Sequence, residues 1–232
     1  MATRTSRRAR ADSMDDKSYW ETVYGTKAAD AVSWFQRTAK RSLDLIQRVA
    51  PDLDAPIIDV GGGASVLVDD LLRVGYRDVT VLDLARNALD VAQERLGSAA
   101  TRVRWLEADA RTATLPAAHY AVWHDRAVFH FLTTAADQAA YVAQVEHAVR
   151  PGGFVIVATF AEDGPASCSG LPVARYSPEA LHGQFGSSFE LVSSERESHQ
   201  TPWGDRQAFT YCLCRLDPPR KDARKLQTRP SL

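Results

Sequence analysis

Short apolar runs alternate along the chain with segments in which apolar residues recur every three or four positions. Runs of the first kind are typical of buried strands, and the second spacing is that of an amphipathic helix. The predicted strands are 56–60, 78–84, 102–109, 119–125, 154–160, 188–196 and 207–215. The predicted helices are 38–49, 65–74, 86–96, 135–149 and 178–185. This alternation predicts a parallel sheet with helices on both faces.

The last two predicted strands are joined by too few residues for a crossover helix, so they should pair antiparallel. The helix over 135–149 is expected to end at "RPGG" (150–153), where proline and glycine together stop it. Gly97 is the expected C-cap of the helix over 86–96. The pattern therefore predicts an α/β protein with a seven-stranded, mostly parallel sheet and an antiparallel last strand.

An aromatic cluster, "SYWETVYGTKAADAVSWFQ" (18–36), precedes the first amphipathic helix. It predicts a small N-terminal helical cap over residues 18–50. The domain as a whole is expected to cover 18–215. The flanking segments 1–17 and 216–232 are predicted to be disordered basic tails.

Charge is distributed unevenly along the 232 residues. Residues 1–11 carry four arginines and no acid, and residues 215–232 carry six basic against two acidic residues. Residues 12–214 therefore hold 18 basic and 27 acidic residues, a net charge of −9. A body this acidic, without a basic stripe, argues against a nucleic-acid partner.

The composition also favours a cytoplasmic protein without a membrane anchor. No apolar run approaches the ~20 residues needed to cross a bilayer. The N-terminus has arginines but no apolar stretch, which argues against a secretory signal. The three cysteines, Cys168, Cys212 and Cys214, form no CxxC pair, as expected in a reducing compartment. A monomer or a weak homodimer is the expected state.

The first predicted strand runs into a glycine turn, "IIDVGGGAS" (57–65). In an open parallel sheet the ligand lies beyond the carboxyl ends of the strands, beside the first strand, where Gly61 and Gly63 fall. The dinucleotide fingerprint needs a further glycine at position 66, which is Val66, so an NAD site is disfavoured. The phosphate-binding P-loop is absent as well, because no Gly-Lys-Ser/Thr follows.

Three acids, Asp59, Asp83 and Asp109, lie in or at the ends of three successive strands. Asp59 precedes the glycines, where a carboxylate suits an ammonium or sulfonium group better than a pyrophosphate. Asp83, 24 positions later, can accept both ribose hydroxyls, and Asp109 can accept the adenine amino group. Leu84 and Ala110 follow these two acids and are expected to border the same ligand. The set describes an adenosine ligand without phosphate, namely S-adenosylmethionine.

With this ordered set the chain resembles the class I S-adenosylmethionine-dependent methyltransferases over roughly residues 18–215. The resemblance rests on the glycine turn, the strand-two acid in "VTVLDLA", "EADA" at strand three and "RPGG" before strand five. Ser65 stands where the family most often has a third glycine. The resemblance implies a Rossmann-like fold and S-adenosyl-L-methionine as cofactor.

Two local matches refine the resemblance. "YAVWHDRAVFHFL" (120–132) is similar to the D-R-G-A-L stretch of thiopurine methyltransferases, with Ala127 in place of its glycine. The "YWETVYGTK…VSWF" cap is similar to the start of tellurite-resistance-type and elongation-factor lysine methyltransferases. The corresponding aromatic residues of those relatives line the cofactor site, which implies this role for Trp20, Tyr24 and Trp34. Phe35 is better explained as the apolar face of the cap.

The candidate catalytic residues are Asp125, Arg126 and His130, which follow strand four. A thiol, phenol or amine acceptor must lose a proton, which His130 or Asp125 could take, and Arg126 could orient the acceptor. The alternative, given equal weight, is that Asp125 and Arg126 form a structural pair that caps a short helix.

The remaining histidines and cysteines are weaker candidates. His124 is expected to support the strand end, and His199 faces the same side as the site. His119, His147 and His182 are interpreted as surface residues. Cys168 borders the expected acceptor pocket, whereas Cys212 and Cys214 are interpreted as core. No metal-ligand spacing is present.

The expected function is methyl transfer from S-adenosylmethionine to a small molecule through an S, O or N acceptor, with a thiol or an aromatic compound favoured. The alternatives are a protein lysine methyltransferase, an NAD(P)-binding reductase, and a protein that binds the cofactor without turnover. Against the lysine methyltransferase, strand four lacks the acidic-Lys-Gly pattern of those relatives.

Overall fold

The computed structural model describes residues 16–217. Seven strands form one sheet: β1 Ile57–Val60, β2 Val79–Asp83, β3 Val103–Glu107, β4 Tyr120–Arg126, β5 Val149–Phe160, β6 Phe189–Gln200 and β7 Arg206–Leu216. Their order across the sheet is β3-β2-β1-β4-β5-β7-β6. The first five strands are parallel, and β7 runs antiparallel to both β5 and β6. The predicted seven-stranded sheet with an antiparallel last strand is confirmed.

Residues 16–217 also form six α-helices, of which the first two precede β1: α1 Asp16–Thr26, α2 Lys40–Val49, α3 Leu67–Val74, α4 Arg86–Leu96, α5 Ala135–Ala148 and α6 Pro178–Phe185. Hydroxyl side chains cap two of them, because Thr134 accepts from the Asp137 N–H and Ser177 from the Ala180 N–H. Gly97 is the C-cap of α4, with a φ of 55°. Both α4 and α6 begin and end where the sequence predicts.

Strand β5 begins five residues earlier than the sequence predicts. The chain passes directly from α5 into Val149, which pairs with Tyr120. The register then shifts, and regular pairing resumes at Phe154 opposite Val122. "RPGG" therefore ends the helix as expected but lies within an irregular part of the strand, where proline removes no regular ladder bond.

Helices cover both faces of the sheet, as predicted. Neighbouring residues of a strand point to opposite faces, and Ile57 and Ile58 accordingly enter two different apolar clusters, both fully buried. The Ile57 cluster contains Ile46 of α2 and Leu71 of α3. The Ile58 cluster contains Val145 of α5 and residues of α6.

The carboxyl ends of β1 and β4 mark the place where the strand order reverses. A sheet of this kind leaves a crevice there, which is where its ligands bind. Helix α1 and a two-stranded hairpin, Ser167–Cys168 with Leu171–Pro172, lie over this end of the sheet, and the Tyr19 hydroxyl donates to the Ser169 carbonyl. These elements form the predicted cap, in which α1 is the one helix that precedes α2 within the described residues.

The predicted tails, 1–17 and 216–232, lie almost entirely outside the described residues. Helix α1 begins at Asp16 and β7 ends at Leu216. Within residues 16–217, no helix combines the length and the apolar character that a membrane span requires.

Candidate active site

A cavity of about 340 Å³ opens beyond the carboxyl ends of β1 to β4, under helix α1 and the short hairpin. Nine predicted site residues line it: Trp20, Tyr24, Trp34, Gly61, Asp83, Leu84, Asp109, Ala110 and Arg126. Four others do not: Asp59, Gly63, Asp125 and His130. The volume lies at the small end of the range usual for ligand sites.

Asp83 ends β2 and faces the cavity with its carboxylate already held by the backbone. Its oxygens accept from the Gly63 N–H at 3.1 Å and from the Ala85 N–H at 2.9 Å. Burial nevertheless raises the pKa of Asp83 to about 6, because desolvation disfavours the charged form more than these bonds favour it. A carboxylate oxygen has more than one lone pair, so Asp83 can accept further hydrogen bonds from a ligand.

The glycine turn lies against the protein's own carboxylates. A Cβ on Gly63 would fall 2.6 Å from Asp83 Oδ2 and 2.4 Å from Ala88 Cβ. Gly63 is therefore required by the packing between the turn, β2 and α4. Gly63, predicted as a cofactor-binding residue, does not line the cavity; its N–H is used instead to hold the Asp83 carboxylate.

Asp109 follows β3 and is paired with Arg111, which the sequence analysis did not single out. The Arg111 guanidinium donates to both Asp109 oxygens and reaches Asp137 on α5 at 2.7 Å. Burial opposes ionisation of Asp109, but the hydrogen bonds and charge of Arg111 outweigh it and lower the pKa of Asp109. The sequence does contain a signal for this pair. Arg111 follows Asp109 by two positions just after a strand, and side chains at this spacing can form an ion pair.

Asp59 lies beneath the turn beside a smaller cavity of about 50 Å³. Its Oδ1 is 2.7 Å from His124 Nδ1, because β1 and β4 pair Asp59 with His124 in register. His124 therefore supports the strand end, as the sequence predicts. Arg126, Tyr24 and Trp34 line both cavities, so the two are neighbours.

The aromatic residues of the cap meet at the cavity. The Trp20 ring centroid lies 5.8 Å from that of Trp34 and 6.2 Å from that of Tyr24. Phe131, a further member that the sequence analysis missed, lies 5.1 Å from Trp20. Burial raises the pKa of the Tyr24 phenol, so Tyr24 stays neutral. The group forms an apolar wall whose ring faces are suited to a cation.

Asp125 is fully buried behind the cavity wall. Its oxygens accept from the Val128 N–H at 2.9 Å, the Phe129 N–H at 3.0 Å and the Tyr141 hydroxyl at 2.5 Å. Burial raises the pKa of Asp125 to about 6 despite these bonds. Asp125 thus caps the short helical turn Phe129–Phe131, and no side of it meets the cavity.

Arg126 forms no pair with Asp125, because successive strand residues face opposite sides. Its Nε donates to the Tyr211 hydroxyl at 2.9 Å and its Nη2 to Glu197 at 3.3 Å. The guanidinium lies 4.2 Å from the Phe209 ring centroid. The structural pair considered above is therefore replaced by an Arg126–Glu197 pair, and Arg126 borders the cavity, as Arg111 also does.

The residue after Arg126 adopts a strained backbone conformation. Ala127 has a φ of 74°, a left-handed conformation that glycine adopts more readily. This agrees with the glycine that stands at this place in the D-R-G-A-L stretch. The turn lets the chain leave β4 and fold back along the cavity, which Ala127, Val128 and Phe131 line.

His130 is fully buried away from the cavity, beside Phe160. Burial, with a contribution from the Arg126 charge, lowers the pKa of His130 to about 3. A neutral imidazole with this pKa is a weak proton acceptor. His199 Nε2 lies 2.7 Å from the Ser33 carbonyl, so His199 contacts the cap and does not line the cavity.

All three cysteines are buried and free, and Cys168 lines the cavity from the hairpin. Burial raises the pKa of the Cys168 thiol to about 11, so Cys168 is a neutral thiol. Cys212 and Cys214 lie in the apolar cluster around Ile58. Among residues 16–217 no group of three or more His, Cys, Asp or Glu side chains is arranged to hold a metal ion.

Comparison with known families gives one domain match. Residues 57–153 match the family model described as "Methyltransferase domain". The matched segment contains the glycine turn, Asp83, Asp109 and Asp125.

The proteins whose sequences are similar to the chain include methyltransferases of several kinds. The eEF1A lysine and N-terminal methyltransferase of Mus musculus is 22% identical over 86% of this chain and 28% of its own length. An uncharacterised methyltransferase of Mycobacterium bovis is 34% identical over 45% of this chain and 50% of its own length. The ubiquinone biosynthesis O-methyltransferase of Ralstonia nicotianae is 31% identical, covering 58% of this chain and 55% of its own length. The chain thus spans about half or less of these relatives.

Solved structures share the fold over most of the chain. One such structure comes from work on the conversion of a disulfide bond into a thioacetal group during echinomycin biosynthesis. It aligns with a TM-score of 0.71 at 18% identity, and the alignment covers 87% of this chain and 93% of that protein. The 1,6-didemethyltoxoflavin-N1-methyltransferase of Burkholderia thailandensis, solved with its substrate and S-adenosylhomocysteine, aligns with a TM-score of 0.61 at 20% identity, covering 84% and 81%. The matched segment is thus a methyltransferase domain, and the chain shares the fold of solved S-adenosylmethionine-dependent methyltransferases.

Proposed function

We propose that the chain transfers a methyl group from S-adenosylmethionine to a small-molecule acceptor with a sulfur, oxygen or nitrogen nucleophile. The observation that carries the proposal is the Asp83 carboxylate, held by two backbone N–H groups at the carboxyl end of β2 and facing the cavity. A carboxylate here accepts hydrogen bonds from ribose hydroxyls.

The residues present fit this cofactor. Asp109 and Ala110 line the same cavity as Asp83 and would border the adenine, and Trp20, Tyr24 and Trp34 line it as well and would lie beside the sulfonium. The bound cofactor supplies a methyl group on a positively charged sulfur. Aromatic faces stabilise such a cation by roughly 0.5–2 kcal/mol.

The acceptor end of the cavity favours a soft or aromatic nucleophile. We assign to it Phe131, Leu171 and Pro172 of the cavity lining, together with Arg126 as a cation and Cys168 as a neutral thiol. Asp125 and His130 lie outside the cavity, so the protein's contribution is to align the acceptor and exclude water. An acceptor that ionises readily, such as a thiol, needs no protein base in this arrangement.

Asp125 and Arg126 take different roles in this proposal. Asp125 acts as a positioning residue, because it holds the turn that carries Val128 and Phe131 into the cavity wall. Arg126 contacts the acceptor or the cofactor from the wall shared by both cavities.

A second candidate function is methylation of a lysine side chain in a protein. It is favoured by the mouse eEF1A methyltransferase, whose similarity covers 86% of this chain. A screen of different methyl acceptors distinguishes the two functions, because they differ only in the acceptor.

The test is a screen for release of S-adenosylhomocysteine from S-adenosylmethionine across thiols, phenols, N-heterocycles and a lysine-bearing protein lysate. We expect turnover with at least one small-molecule class, and a loss of turnover in Asp83→Ala. Turnover with the lysate alone would replace the small-molecule acceptor by a protein. An NADH-dependent reduction without methyl transfer would overturn the proposal.

A further inference from the structure

Three buried polar side chains form a line beneath the glycine turn. His124 of β4 lies between them, with Nδ1 2.7 Å from Asp59 Oδ1 and Nε2 2.8 Å from Ser42 Oγ. The exposed fractions of Ser42, His124 and Asp59 are 1%, 3% and 2%. Because α2, β4 and β1 each contribute one member, the line is set by the fold and not by a local turn.

The chemistry of a carboxylate sets the direction of one of the two hydrogen bonds. An ionised carboxylate only accepts, so His124 Nδ1 carries a proton and donates to Asp59. Nε2 hydrogen-bonds the Ser42 hydroxyl, which can act as donor or acceptor. Asp59 Oδ1 is thereby held by one donor that water cannot replace, since the whole line is buried.

The other oxygen of the same carboxylate has no donor. Asp59 Oδ2 is buried and lacks a hydrogen-bond partner among the described residues. It lies against Gly62, where a Cβ would fall 2.3 Å from it. A buried carboxylate oxygen without a partner is costly, and Asp59 borders the small cavity that adjoins the larger one.

We propose that His124, anchored by Ser42, is a positioning residue that holds Asp59 Oδ1 so that Oδ2 receives the ammonium group at the amino-acid end of the cofactor. The inference rests on the proposed function, since it assigns that end of the cofactor to the smaller cavity. A network that only stabilised the fold would not leave one oxygen without a donor beside a cavity.

The test compares two ligands that share the adenosine and the thioether but differ in the amino acid: S-adenosylhomocysteine and 5′-methylthioadenosine. Calorimetric affinities are measured for the wild-type protein, His124→Leu, His124→Asn and Ser42→Ala. His182→Leu on α6 is the matched control, because His182 contacts the Phe189 carbonyl away from both cavities.

We expect His124→Leu to weaken S-adenosylhomocysteine binding by roughly 10- to 100-fold, the range for a lost hydrogen bond to a charged group. Methylthioadenosine binding should stay within about twofold. His124→Asn should recover part of the loss, because its amide nitrogen can replace Nδ1 as donor to Asp59. The control should keep the wild-type preference for the amino-acid ligand.

Equal weakening of both ligands, or an unchanged preference, would show a purely structural network and overturn the inference. If His124→Leu does not fold, Ser42→Ala carries the test, with a smaller change in the same direction expected. A wild-type protein that binds both ligands equally would overturn the inference alone. A wild-type protein that binds neither would overturn the proposed function as well.

Discussion

At the scale of single residues, the site depends on which side of a strand end each side chain faces. Asp83 and Asp125 are both acids near strand ends, and burial raises the pKa of each to about 6. Only Asp83 meets the cavity. The sequence locates a strand end well, but a shift of one residue turns every side chain to the other face. For this reason Asp83 could be predicted as a cofactor ligand, whereas the buried position of Asp125 could not.

Asp83 should make cofactor binding depend on pH. In the proposed role the ionised carboxylate accepts from both ribose hydroxyls, and protonation removes part of that capacity. Since the pKa of Asp83 is raised to about 6, the affinity for S-adenosylhomocysteine should be full at pH 7.5 and fall as the pH drops below about 6. Asp83→Ala should lower the affinity at pH 7.5 by roughly 1.5–3 kcal/mol. Calorimetry between pH 5 and 8 measures both effects.

The control for this prediction is Asp90→Ala, which removes an exposed carboxylate from α4 and should leave the affinity unchanged. Asp83→Asn should bind more weakly than wild type at pH 7.5 and show a flatter pH profile. A profile equally steep in Asp83→Asn would assign the titration to another group and contradict the role given to Asp83.

Asp125 should behave as a structural residue when it is replaced. In Asp125→Asn an amide NH₂ must face a backbone N–H or the Tyr141 hydroxyl, which leaves a buried donor unsatisfied. Stability should fall by about 1–3 kcal/mol, and residual methyl transfer should follow the folded fraction. Melting temperature and turnover are measured on the same samples, with exposed Asp44→Asn as the control. A loss of turnover of roughly 100-fold at the wild-type melting temperature would instead make Asp125 the base.

At the scale of elements, the strands and central helices could be predicted because their apolar spacing is regular. The cap could be predicted only in part. Its aromatic residues were expected at the site, but the attachment of α1 to the start of α4 is polar and leaves no periodic signal. The Glu21 carboxylate accepts from the Arg86 and Asn87 N–H groups at the start of α4, and Val23 is the buried residue of α1.

This attachment predicts that ligand binding stabilises the cap. Segments with little buried apolar surface open at low free-energy cost, and Trp20 and Tyr24 of α1 gain contacts when the cavity is filled. Backbone amides of Asp16–Thr26 should exchange hydrogen several-fold more slowly with saturating S-adenosylhomocysteine than without it. Helix α2, which packs in the Ile57 cluster, should change little and serves as the internal reference. Equal protection of α1 in both states would show that the cap does not close over the ligand.

At the scale of the whole molecule, strand order and the position of the site follow from the alternation of strands and helices. What the sequence leaves open is how distant segments meet. Arg126 of β4 pairs with Glu197 of β6, and Cys168 reaches the cavity on a hairpin that has no strand pattern of its own. Such contacts join side chains that are 40 or more positions apart in the chain, and they depend on the direction in which each side chain points. The proposed acceptor end depends on these contacts, which is why the sequence predicts the cofactor more sharply than the acceptor.

The central claim is that the cavity binds an adenosine ligand without phosphate. Its most direct test is calorimetric titration of the purified protein with S-adenosylmethionine, S-adenosylhomocysteine and NADH at pH 7.5. The account predicts saturable binding of the first two and much weaker binding of NADH, because Asp59 and Asp83 lie where a pyrophosphate would need donors. Tighter binding of NADH than of both adenosyl ligands would contradict it.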